Sequence, residues 1–89
     1  METKLFVGSL PWGVSDEMLR EAFEQAGVVI SARVITDRET GRSRGFGFVE
    51  METTEGAAAA IEMWNEQEFD AQDGRTPRAI IVNEARPRD

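Results

Sequence analysis

Alternation and helical spacing divide the chain into six successive elements. Lys4 to Gly8 alternates, with Leu5 and Val7 on one side and Lys4, Phe6 and Gly8 on the other, the signature of a half-buried strand. Leu10-Pro11-Trp12-Gly13-Val14 is a turn-rich connection. Ser15 is placed to cap a helix, and Asp16 and Glu17 suit the positive end of its dipole. Leu19, Ala22, Phe23 and Ala26 then recur as one apolar stripe, and Gly27 is expected to end the helix. Val28 to Thr36 is rich in β-branched residues and reads as a second strand. Arg33 should share a face with Ile35, opposite Ala32 and Val34, unless a bulge shifts the register. Asp37 to Ser43 is a charged hairpin turn containing Gly41, whose Arg38 and Arg42 are within reach of an anion. A third strand follows at residues 44–51. Thr53 or Thr54 caps a second helix with Ala57, Ala60, Ile61 and Trp64 on its stripe. Residues 66–77 read as a long loop with Phe69 tucked under the core edge. Arg78 to Glu84 is the last strand, with Ile80 and Val82 inward and Ile81 and Asn83 outward.

The third strand carries the chemistry. In Arg44-Gly45-Phe46-Gly47-Phe48-Val49-Glu50-Met51, period two puts Arg44, Phe46, Phe48 and Glu50 on one side and Gly45, Gly47, Val49 and Met51 on the other. Val49 and Met51 supply a core side, which leaves Phe46 and Phe48 on the wetter face. Glycine in a strand interior often marks a close approach by another backbone or a ligand. Aromatic rings on an open surface with a cation at one end stack nucleic-acid bases while the charge meets a phosphate.

Composition at first opposes that reading. The 89 residues carry a net charge of −7, unfavourable for a polyanionic partner. The charge is segregated, however. Residues 50–73 hold eight acids and no base, whereas residues 33–44 hold Arg33, Arg38, Arg42 and Arg44 against Asp37 and Glu39. Residues 74–88 hold Arg75, Arg78, Arg86 and Arg88 against Glu84. Local field matters more to a bound phosphate than the sum. The chain has no histidine and no cysteine. That removes the commonest general base and metal ligand, disulfides and thiolate chemistry together. No apolar run approaches the roughly 18 residues of a membrane span. The start Met1-Glu2-Thr3-Lys4 lacks the layout of a signal peptide. A cytoplasmic, intracellular location is therefore expected.

The octapeptide resembles a signature of the RNA recognition motif family, K/R-G-F/Y-G/A-F-V-x-F/Y, departing only at Met51. Leu5-Phe6-Val7-Gly8-Ser9-Leu10 resembles the family's hexapeptide, with Ser9 where Asn is usual. The two signatures begin 39 residues apart, room for a helix and a strand. In the second half the family generally has Leu at Trp64 and Gly at Glu66. The resemblance is nearest to the short bacterial and plant glycine-rich members. The element order suits an α+β, ferredoxin-like βαββαβ sandwich, a four-stranded antiparallel sheet with two helices on one face. The resemblance implies strand order 4-1-3-2 and a single domain over residues 1–89. It further implies that Phe6 and Phe48 each stack on a base, with Phe46 between the two sugars. Arg44 pairs with the intervening phosphate, and Asn83, Ala85 and Arg86 read base edges. Lys4 and Arg33 complete the expected RNA-binding set.

The expected partner is single-stranded RNA, with single-stranded DNA as a close alternative and a protein-binding module of the same fold as another. No cofactor, metal, membrane or small-molecule substrate is expected, and the domain should act as a monomer. An enzyme of the acylphosphatase type needs a phosphate-cradling loop with a positioned Arg, which residues 8–14 lack.

Overall fold

Pairing between distant segments turns these elements into a sheet. The computed structural model describes residues 3–11, 13–41, 43–69 and 77–85, with Ser43 and Arg44 described in backbone only. The elements are β1 (Lys4–Gly8), α1 (Asp16–Glu24), β2 (Val29–Thr36), β3 (Ser43–Met51), α2 (Thr54–Trp64), β4 (Glu68–Phe69), β5 (Arg78–Ala79) and β6 (Ile81–Glu84). The main sheet is antiparallel in the order β2-β3-β1-β6, the 4-1-3-2 arrangement with β6 as its fourth strand. The molecule is α+β and ferredoxin-like.

One face of the sheet is sealed. Leu5, Val7, Val34, Val49, Met51 and Val82 share a single core with Leu19, Ala22 and Phe23 of α1 and Ala57 and Ala60 of α2. The connection between β1 and α1 contributes more than a turn, since Leu10 and Val14 are buried there. Ser15 accepts a hydrogen bond from the Met18 N–H, and Thr53 accepts one from the Gly56 N–H, so each helix begins on the side-chain cap its sequence offers.

Three expectations need correction. Gly27 does not end α1. The helix closes at Gln25 in right-handed conformation. A Cβ on Gly27 would lie 3.1 Å from the Gly56 Cα, so the residue is small because α2 passes against it. Residues 66–77 are not simply a loop, because Glu68–Phe69 pairs with Arg78–Ala79 in a separate two-stranded ribbon. Phe69 is buried, as anticipated, against the Trp64 ring at 5.3 Å between centroids. The last strand is accordingly split between β5 and β6. Ile80 lies at the break, and it and Val82 are fully buried.

Two irregularities set which side chains face outward. Val29 pairs with Met51 but Ser31 with Glu50, leaving Ile30 as an extra residue. Val29 therefore turns into the core while Ser31 joins Arg33 on the opposite side. In β3, Gly45 has φ 85° and its carbonyl accepts from the Leu10 N–H at 2.8 Å. That left-handed backbone explains a glycine at the second octapeptide position.

Candidate nucleic-acid interface

Register alone aligns the outward side chains. Across the sheet, Asn83 of β6 stands opposite Phe6 of β1, Phe6 opposite Phe48 of β3, and Phe48 opposite Arg33 of β2. The neighbouring row runs Lys4, Glu50, Ser31. All of these are partly or fully exposed, in contrast to their buried neighbours Leu5, Val7 and Val49.

Three rings occupy the centre. Phe6 lies 5.8 Å from both Phe46 and Phe48 between centroids, tilted 31° to the first and 65° to the second. Phe46 and Phe48 meet at 6.2 Å and 88°. These are favourable aromatic geometries, and each ring stays half-exposed. The glycines beside the rings have separate reasons to be glycine. A Cβ at Gly8 would come within 2.9 Å of the Phe6 ring, so the ring lies over its own strand. A Cβ at Gly47 would stand 2.5 Å from the Arg33 carbonyl oxygen. What approaches Gly47 is thus the β2 backbone.

The polar residues are less evenly settled. Lys4 holds its ammonium 5.3 Å from the Phe48 centroid, a cation–π contact on a ring that a base would also need. Arg33 is exposed beside Phe48. Asn83 is exposed opposite Phe6. The Ala85 N–H donates to the Lys4 carbonyl at 2.8 Å, which leaves only the Ala85 carbonyl for an outside partner. Arg44 lies on β3 with its side chain outside the description, and Arg86, Arg42 and Trp12 lie outside the described residues.

Three features were not assigned to the site from the chain alone. Ile81, 43% exposed beside Gly8, extends the apolar surface next to Phe6. Ser31 and Glu50 border an open groove of about 370 Å³ that also touches Lys4, Arg33 and Phe48. Strand parity was the available signal for two of them, since it sets Glu50 with Phe46 and Phe48 and Ile81 with Asn83. Ser31 gave none, because the bulge at Ile30 decides its face. Among the described residues no group of three acidic or other ligating side chains is arranged to hold a metal, and no helix is long and apolar enough to cross a membrane.

Comparison with known proteins matches this framework. Residues 5–74 fit the RNA recognition motif family. The chain is 51% identical over 87 residues to the chloroplastic 28 kDa ribonucleoprotein of Spinacia oleracea, covering 98% of this chain and 35% of that protein. It is 49% identical over 88 residues to the mitochondrial glycine-rich RNA-binding protein 2 of Arabidopsis thaliana, covering 99% of this chain and 52% of that protein. It thus spans about half or less of the relatives it matches. Among solved structures, the RNA-binding protein PG1 superposes with a TM-score of 0.83 at 52% identity, with 98% of each chain covered. A Sex-lethal protein/RNA complex superposes with a TM-score of 0.82 at 30% identity, over 93% of this chain and 47% of that one.

The chloroplastic and mitochondrial relatives overturn the cytoplasmic location expected from the sequence. The lack of cysteine and a polar surface describe a folded domain, whereas a cellular address is read from processing segments that the fold does not need. With both signatures on adjacent strands, the rings on the face away from the helices and these relatives in agreement, the chain belongs to the RNA recognition motif family.

Proposed function

We propose that residues 1–89 act as one RNA recognition motif domain that binds single-stranded RNA on the open sheet face. The observation that carries the reading is the cluster of Phe6, Phe46 and Phe48, half-exposed and within 6.2 Å of one another on the side opposite the helices. An apolar surface of this kind on a soluble domain calls for a partner. Support comes from relatives named as RNA-binding and from the Sex-lethal protein solved with RNA.

In this reading Phe6 and Phe48 each stack on one base and Phe46 lies between their sugars. Arg44 pairs with the intervening phosphate, which its planar fork suits. Lys4 and Arg33 meet neighbouring phosphates, and Asn83, the Ala85 carbonyl and Arg86 read base edges. Before a base stacks on Phe48, Lys4 leaves the ring, at a cost of roughly 0.5–1 kcal/mol for an exposed cation–π contact. Stacking returns about 1–3 kcal/mol per base. The balance favours the base. Two stacked bases with charge-assisted contacts suggest an affinity near micromolar, about −8 kcal/mol. The footprint is roughly two to four nucleotides, because such a sheet stacks two or three bases. Paired bases hide their π-faces, so duplexes are excluded. Single-stranded DNA is accepted unless a 2′-hydroxyl contact discriminates. The domain works as a monomeric binding module and not as an enzyme.

Titration of the protein with short single-stranded and duplex RNA, followed by amide chemical shifts, tests this. Shifts confined to β1, β3 and their flanks with the single strand alone are expected. A response centred on the helices, or none at micromolar concentrations, overturns the reading.

A further inference from the structure

Glu50 is out of place on a surface offered to a polyanion. It occupies the free position of the octapeptide and borders the open groove of about 370 Å³ with Lys4, Ser31, Arg33 and Phe48; the groove's other carboxylate, Asp16, already accepts from the Val34 N–H at 2.7 Å. It stands directly opposite Lys4 on one side and Ser31 on the other. Yet among the described residues it forms neither an ion pair nor a side-chain hydrogen bond, because Lys4 turns to the Phe48 ring instead. A carboxylate beside a base-stacking ring repels phosphate, so its presence there needs a compensating use.

We propose that this groove selects guanine, with the Glu50 carboxylate as its specificity-determining group; the inference rests on the RNA-binding reading above. A carboxylate offers acceptors alone. On single-stranded RNA the Watson–Crick edge is open to side chains. Only guanine presents two adjacent donors there, N1–H and the N2 amino group, which match the two carboxylate oxygens. Adenine and cytosine each offer one donor next to an acceptor, and uracil places its one donor between two acceptors. Each of these sets a lone pair against a carboxylate oxygen. Lys4 and Arg33 stay with the neighbouring phosphates, so the selection falls to Glu50 alone.

The test uses five pentanucleotides, UUXUU with X as guanine, inosine, adenine, cytosine or uracil, titrated by fluorescence anisotropy into the native chain and the Glu50→Gln variant. Uracil flanks stack in any register, so the variable base can find the groove. A bidentate contact predicts about a tenfold preference for guanine over uracil. Inosine, which lacks the N2 amino group, should lose most of that preference. In Glu50→Gln the preference should fall to within about twofold, while all-uracil RNA binds as well as or better than to the native chain, since a negative charge has gone. Equal binding of guanine and inosine by the native protein overturns the proposal, and this arm holds even if the variant folds poorly. A native protein with no guanine preference, or a variant that keeps it, overturns it as well. Failure of every pentanucleotide to bind removes the RNA-binding reading itself, an outcome distinct from binding without selectivity.

Discussion

Ser9 and Glu66 are departures from the family pattern, and both carry left-handed backbone, with φ 55° and 63°. Asn and Gly tolerate that region better than other residues. Glu66 follows the C-cap Asn65 of α2 and donates its N–H to the Ile80 carbonyl at 2.8 Å, so its conformation is held by β5–β6 packing. Glu66→Gly should therefore raise stability by about 0.5–1 kcal/mol, measured by urea denaturation, because a left-handed L-residue costs about 1–2 kcal/mol and glycine's greater unfolded-state freedom takes part of that back. A loss of stability would show that the Glu66 side chain is worth more than the strain. Phe48 bears on binding instead. Phe48→Ala should weaken RNA binding by about 1–3 kcal/mol with little change in unfolding midpoint, since the ring is half-exposed. A variant that unfolds yet binds normally per folded molecule would assign the ring to the core.

The elements are joined by contacts whose partners lie far apart in the chain. Trp64 stacks on Phe23 at 6.2 Å and 11° and donates its indole N–H to the Ala22 carbonyl at 3.1 Å, tying α2 to α1. Where the family pattern has Leu, this chain thus has a hydrogen-bond donor that reaches from one helix to the other. Trp64→Leu should cost about 1–3 kcal/mol in thermal or chemical unfolding, from the lost bond, the exposed carbonyl and the reduced area. No measurable change would mean the indole is incidental. Met51 is fully buried, with its terminal methyl close to both Gly27 and Gly56. The flexible thioether fits between the sheet and the tight crossing of those glycines, which is the local reason an aromatic is absent there. Met51→Phe should overpack that crossing and destabilise by about 1–3 kcal/mol, read from the same denaturation curves. Stabilisation instead would reveal unfilled space behind the sheet. At the edge of the sheet, Asp16 accepts from the Val34 N–H at 2.7 Å. One α1 residue thereby satisfies an edge donor of β2 and blunts the strand against pairing with another chain.

For the molecule as a whole, charge is unevenly divided between the two layers. Glu17, Glu21 and Glu24 outnumber Arg20 on α1 and Glu55 and Glu62 ride on α2, while Lys4 and Arg33 outnumber Glu50 on the open face. The thinnest extent of the molecule is 19 Å, beyond the Debye length of about 8 Å at physiological salt. A phosphate at the open face therefore feels the near cations more than the net charge of −7. If Lys4, Arg33 and Arg44 each neutralise a phosphate, log K should fall with log salt at a slope of about −2, and Arg44→Ala should flatten it by about 0.7. A slope near zero would show that stacking acts without phosphate contacts.

Period two and period 3.6 are local properties of a chain, so they were readable before any pairing was known. They identified the strand faces of β1 and β3, the stripes and caps of both helices, the inward Ile80 and Val82, and the rings left over. They failed where an element's form depends on a distant neighbour. The bulge that turns Ser31 outward is defined against β3, the β4–β5 ribbon joins segments on either side of residues 70–76, and Gly27 answers to Gly56 across the core. Burial alternation can be written into one strand; a register, a close crossing or a groove exists only between two.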